Sequence, residues 1–272
     1  MSAPAVSGTG GRRTGWLLRG LLAAALAAPC GQAQGIVMRH DVPAEEYRSD
    51  AAEWPATAFF HIGGRFGAGA GTLVAPGWVL TAAHVAHHLA PGDPVTIRGV
   101  SYAIRHVELH PGYVLMEPGD DIALVRLSRE VEDVAPALPY ARKDETGRVV
   151  TFVGAGWPGT GITGAGGGPG TIRAAENRVE ATRGDLVVFR FDAPPDALPR
   201  EGISGPGDSG GPAYLVREGK VFTLGVSAYQ GPSPTGVEGV YGVDEFYTRV
   251  SAYEPWIRSV IGDDTGKSQA TD

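Results

Sequence analysis

Glycine and proline make up close to a quarter of this chain, a density of turn residues that argues against a helical bundle. The 272 residues include 41 glycines and 21 prolines, with no Gly-X-Y repeat. Proline removes a backbone donor and glycine loses the most freedom on ordering, so a helical bundle is excluded, and the missing repeat excludes collagen. Past residue 56, short runs of β-type residues alternate with turn signals. They are Thr57–Ile62, Thr72–Ala75, Trp78–Thr81, Val95–Arg98, Tyr102–Glu108 and Ile122–Leu127. After a proline-rich charged stretch at 132–147 come Val149–Val153, Thr171–Ala181, Leu186–Phe191, Pro212–Arg217, Val221–Tyr229 and Phe246–Val250. Six short strands, a linker and six more predict an all-β protein of two antiparallel barrels or sandwiches.

Two segments depart from this rhythm. Tyr253, Trp256, Ile257 and Val260 fall at helical spacing, which predicts a C-terminal helix over 251–262 and a flexible tail at 263–272. The glycine-rich stretch 154–170 carries almost no core material and has no strand-to-helix context. It predicts a mobile loop, not a phosphate cradle.

The first 35 residues read as a signal peptide: Arg12, Arg13 and Arg19 bracket the start of the apolar run Leu21–Ala28, which breaks at Pro29. That run is too short to span a bilayer. Small residues allow cleavage after Ala33 or after Gly35. Export through the general route would remove Cys30, the chain's single cysteine, so no internal disulfide forms. It would also remove three arginines and no acids, leaving a mature chain more acidic than the whole, which carries −7. That balance argues against binding nucleic acid or an anionic membrane.

Three segments carry chemistry. Thr81-Ala82-Ala83-His84 follows a strand, Asp121-Ile122-Ala123-Leu124 opens one, and Gly207-Asp208-Ser209-Gly210-Gly211-Pro212 forms a tight turn. Singly, each fits a structural role. Together, in this order, they resemble the chymotrypsin-like (trypsin-fold) serine protease family over roughly residues 36–261. The resemblance implies two six-stranded antiparallel β-barrels, 36–135 and 136–250, with the C-terminal α-helix. It also implies a triad: Ser209 as nucleophile, His84 as base, and Asp121 to orient the imidazole. Serine needs such a base because its hydroxyl is a weak nucleophile at neutral pH. Backbone N–H groups of Gly207 and Ser209 would form the oxyanion hole. Ile36-Val37 matches the family's mature N-terminus, whose ammonium would pair with Asp208; no basic residue precedes it, so cleavage after Gly35 would create Ile36 directly. His84, His87 and His88 lack an acidic or cysteine ligand nearby, and no metal or other cofactor is expected.

Specificity is encoded less directly. By the family pattern Ile203, six before the nucleophile, lines the floor of the substrate pocket, and Ser227-Ala228-Tyr229 forms its wall. Glu245, aligned to the back of the pocket, could attract a basic side chain, but with Ile203 at the floor the expected preference is for apolar or small side chains. The expected protein is a bacterial, secreted or periplasmic serine endopeptidase, monomeric and free of the membrane, acting on protein or peptide substrates. Its rivals are a catalytically silent binding protein of the same fold and a narrowly specific processing protease.

Overall fold

The computed structural model describes Met1 and residues 35–49, 53–115, 117, 119–168 and 170–268, with 263–268 as backbone only. The expected signal peptide, Cys30 included, lies outside the described residues except for Met1 and Gly35, and so does the end of the expected tail, 269–272. Strand β1 (Val37–Met38) precedes β2 (Thr57–Ile62), β3 (Arg65–Ala75), β4 (Trp78–Thr81), β5 (Pro94–Ile97), β6 (Val100–Leu109) and β7 (Ala123–Leu127). A linker strand, β8 (Leu138–Pro139), leads to β9 (Val149–Gly154), β10 (Gly159–Thr160), β11 (Gly164–Ala165), β12 (Arg173–Arg183) and β13 (Leu186–Arg190). The set ends with β14 (Gly202–Ile203), β15 (Pro212–Arg217), β16 (Lys220–Gln230) and β17 (Asp244–Arg249).

Both barrels close. The first runs in the order β2-β3-β4-β7-β6-β5, and Ala58 opposite Ile97 completes the ring. Pro76-Gly77 turns β3 into β4, since proline presets φ for such a corner. The second runs β15-β9-β12-β13-β17-β16, closed by the β15–β16 pairing, with β8 added in parallel to β16. Inward residues fill each ring. In the second, Phe152 stacks on Tyr247 at 4.8 Å while Phe189 meets both rings edge-on. Edge-to-face and offset contacts of this kind add to area burial.

Two expectations change. Helix α2 (Val250–Ser268) begins one residue earlier than the spacing predicts and continues past 262; Tyr253 and Ile257 are buried beneath it. The glycine-rich stretch is not simply a loop: β10 and β11 join β1 and β14 in a small sheet of order β11-β10-β1-β14. Its glycines serve close approach, because a Cβ on Gly159 would lie 2.0 Å from the Gly164 carbonyl oxygen. Absence of side chains thus marks a tightly apposed backbone here.

Phe152 is 1% exposed at the centre of the aromatic trio. Phe152→Ala is expected to lower unfolding stability in urea by about 3–5 kcal/mol; a loss below about 1 kcal/mol would show that the barrel collapses around the gap.

Candidate active site

Antiparallel pairing brings two of the chemical segments to one end of the first barrel. In the β4–β7 register Thr81 faces Ala123 and Leu80 faces Leu124. His84 lies just beyond Thr81 on the short helix α1 (Ala83–Ala86), and Asp121 lies just before Ala123, so both emerge at the same end. Asp121 grips His84 twice: Oδ1 accepts its backbone N–H at 2.9 Å, and Oδ2 lies 2.7 Å from Nδ1. The Asp121 carboxylate is 18% exposed and the imidazole 34%, so the ring keeps a face toward solvent. From the second barrel, Thr248 Oγ1 donates to the Asp121 carbonyl at 2.8 Å.

The turn carrying Ser209 is seated against the same end. The Ala70 N–H donates to the Ser209 carbonyl and the Gly210 N–H to the Ser227 carbonyl, each at 2.8 Å. Gly210 has φ +78°, and a Cβ there would lie 2.2 Å from Thr81 Oγ1 and 3.1 Å from the Ala82 nitrogen. Only glycine lets this turn touch the backbone that leads into His84. Within the turn the Asp208 N–H donates to the Gly205 carbonyl at 3.0 Å. The N–H groups of Gly207 and Ser209 on either side have no partner among the described residues.

Asp208 points the other way, into the interior. It is 1% exposed and accepts three N–H donors: Gly156 at 2.7 Å, Gly205 at 2.9 Å and Ile36 at 3.2 Å. Burial pushes its pKa up to about 6, with those donors pulling the other way. Ile36 is fully buried and has φ +62°, a left-handed conformation that a β-branched residue rarely adopts.

A cavity of about 400 Å³ opens beside Ser209, between Ser204 and Ser227. Tyr229, 44% exposed and stacked on Phe246 at 4.8 Å, stands at its rim with Glu238. Glu245 lines it from inside: its carboxylate accepts the Ser204 N–H at 3.2 Å. Burial first, and then the charge of Asp208, push the Glu245 pKa up to about 8 against the hydrogen bonds from Ser204.

The Trypsin family model matches residues 45–257. The chain belongs to the trypsin family. Its curated relatives include vitamin K-dependent protein C of Rattus norvegicus, 28% identical over 219 residues, and that of Mus musculus, 28% identical over 221. Each match covers 71% of this chain and 46% of the relative, so the chain spans less than half the length of the proteins it matches.

Among the trypsin-family positions expected from sequence, His84 and Asp121 are in contact, the Ser209 turn packs on their segment, and Ile36 reaches Asp208. Ser227, Tyr229 and Glu245 line the cavity. Ile203 does not line it. Its side chain is fully buried with Val37, Phe191, Val240 and Val243, because β14 pairs with β1 and sets Ile203 opposite Val37. Its neighbour Ser204 takes the cavity position.

Sequence reasoning missed three contributors. Gln230 braces the wall, donating to the Ser204 carbonyl at 2.5 Å and accepting the Gly239 N–H at 2.9 Å. Glu238 adds a second carboxylate at the rim, and Thr248 supports Asp121. A bulge between Ser227 and Tyr229 upsets the strand's alternation, which hid Gln230 from any period-two reading.

A carboxyl titrating near pH 8 is expected by infrared or NMR spectroscopy of the ligand-free chain, absent in Glu245→Gln. A titration in the ordinary carboxylate range at this position would contradict the buried placement.

Proposed function

We propose that the protein is a serine endopeptidase that cleaves peptide bonds through an acyl-enzyme, with Ser209, His84 and Asp121 as its triad. The observation that carries this reading is the double contact of Asp121 with His84 beside a Ser209 turn seated on the Thr81–Ala82 backbone. With Asp121 against Nδ1, the imidazole carries its proton there and leaves Nε2 free as the base. Ser209 Oγ attacks the scissile carbonyl, His84 takes the hydroxyl proton, and the same proton passes to the departing amine. Water then attacks the ester by the same route, releasing the acid and restoring Ser209. The Gly207 and Ser209 N–H groups, without a partner among the described residues, stabilise the oxyanion as it forms.

Maturation belongs to the same reading. A cut after Gly35 removes the carbonyl whose crowding makes φ +62° costly at Ile36. The new ammonium would meet the Asp208 carboxylate in a charge-assisted pair. An exported chain rich in alanine, glycine and arginine and with no disulfide pair fits a bacterial protein, secreted or held in the periplasm. No helix among the described residues is long and apolar enough to cross a membrane.

The cavity favours a basic side chain. Glu238 at the rim supplies negative charge, Glu245 inside adds to it once its raised pKa is passed, and Ile203, the apolar group expected at the floor, is turned away into the core. A silent binding protein gains no comparable support, since the His84–Asp121 contact is intact.

Intact mass before and after a fluorophosphonate tests the chemistry. One adduct is expected on the chain beginning at Ile36 and none on Ser209→Ala, whose kcat should fall by at least about 10⁴-fold. No adduct on that mature chain would overturn the catalytic reading. Glu245 must lose its proton to hold a cation, so for a lysyl substrate KM is expected to fall as pH rises toward about 8. Glu245→Gln should abolish that trend and the lysyl preference; an unchanged preference would mean that the charge lies elsewhere.

A further inference from the structure

Asp121 is the middle residue of a three-residue turn: the Ile122 N–H donates to the Asp120 carbonyl at 2.8 Å. Asp120 itself has φ +51°, uncommon for a residue with a side chain. The direction of the Asp121 carboxylate therefore depends on how firmly Asp120 is held.

The holding comes from the other barrel. Tyr253 on α2 is 6% exposed, and its hydroxyl lies 3.0 Å from Asp120 Oδ1 and 2.8 Å from Asp185 Oδ2. Burial and the two carboxylates keep that hydroxyl protonated, as a donor. Asp185 also accepts the Asp120 N–H at 3.4 Å, and its carbonyl is tied to the Arg249 N–H at 2.7 Å. Together with Thr248 on the Asp121 carbonyl, residues 248–253 reach the Asp120-Asp121 pair from two sides. On the first-barrel side His110 Nδ1 lies 3.2 Å from Asp120 Oδ1, and its ring meets Tyr253 and Trp256 edge-on at 5.0 Å.

We propose that Tyr253 and Asp120 are positioning residues for the reaction: a hydroxyl from the C-terminal helix locks the residue before the catalytic carboxylate and so fixes the angle at which Asp121 meets His84. The inference rests on the triad reading above. Neither residue touches substrate or the imidazole; they act through Asp121. A small tilt of that carboxylate weakens the Nδ1 contact without unfolding anything, and misplacement of this kind slows the chemical step more than binding.

Tyr253→Phe deletes the hydroxyl and keeps the buried ring. Its kcat is expected to fall about tenfold, with KM within about twofold of the unmodified enzyme. Asp120→Asn keeps an acceptor for Tyr253 and should retain most of the rate, whereas Asp120→Ala should match Tyr253→Phe. Ile257→Val, a trimmed core residue of the same helix, controls for stability. The proposal is overturned if Tyr253→Phe keeps its kcat, if Asp120→Asn is no better than Asp120→Ala, or if Ile257→Val loses as much rate for an equal drop in melting temperature. A second readout is independent of turnover: the downfield NMR signal of the His84 Nδ1 proton, recorded in a Ser209→Ala background. Adding Tyr253→Phe should shift or broaden it, and an unmoved signal would overturn the proposal. Failure of the triad reading shows itself separately, as no turnover and no fluorophosphonate adduct in the unmodified chain.

Discussion

A single buried carboxylate organises the part of this molecule that surrounds the Ser209 cavity. Asp208 has no solvent to satisfy it, and an unpartnered carboxyl at that depth would cost several kcal/mol. Its oxygens are met by N–H groups from two distant segments, Ile36 ahead of β1 and Gly156 in the glycine-rich stretch, and from Gly205 in its own turn. Whatever satisfies Asp208 thereby fixes β1, the wall of the cavity, and the direction in which Ser209 faces. Glycine at 154 and 156 follows from the same requirement, since a Cβ at either would fall within 3 Å of the carboxylate.

The barrels play a different part. They hold strand ends in register, and function sits where those ends meet. The β4–β7 pairing brings His84 and Asp121 together, while contact between the Ser209 turn and Thr81 joins the second barrel to the first. Residues 248–253 cross the same seam in the opposite direction. The proposed triad is thus a property of the interface between two rings, and neither ring carries all of it.

What could be read from sequence follows from this division. The three motifs were legible because the proposed nucleophile, base and carboxylate each need particular neighbours in the chain: small residues around Ser209, a strand end before His84, an apolar strand after Asp121. The barrels were legible through turns and alternation. Contacts made across the seam left no local trace: Thr248, Gln230 and Tyr253 look like ordinary strand and helix residues until register brings them to their partners. Ile203 shows the cost of one residue of slip. Ile203 ends β14 opposite Val37 and turns to the core, and Ser204, the next residue, faces the cavity. The glycine-rich stretch misled for another reason, because composition alone cannot distinguish a backbone free to move from one that another backbone must touch.

Closure of both rings has a consequence for a chain with a single cysteine. A protein without disulfide staples depends on burial alone, and transient openings would expose strand edges able to pair with neighbouring molecules. Here the long strands are enclosed: each of the twelve barrel strands has partners on both sides, and the strands outside the rings are two residues long. Short edges offer little template for intermolecular pairing. Ring closure therefore leaves few free strand edges on the folded chain for another molecule to pair with.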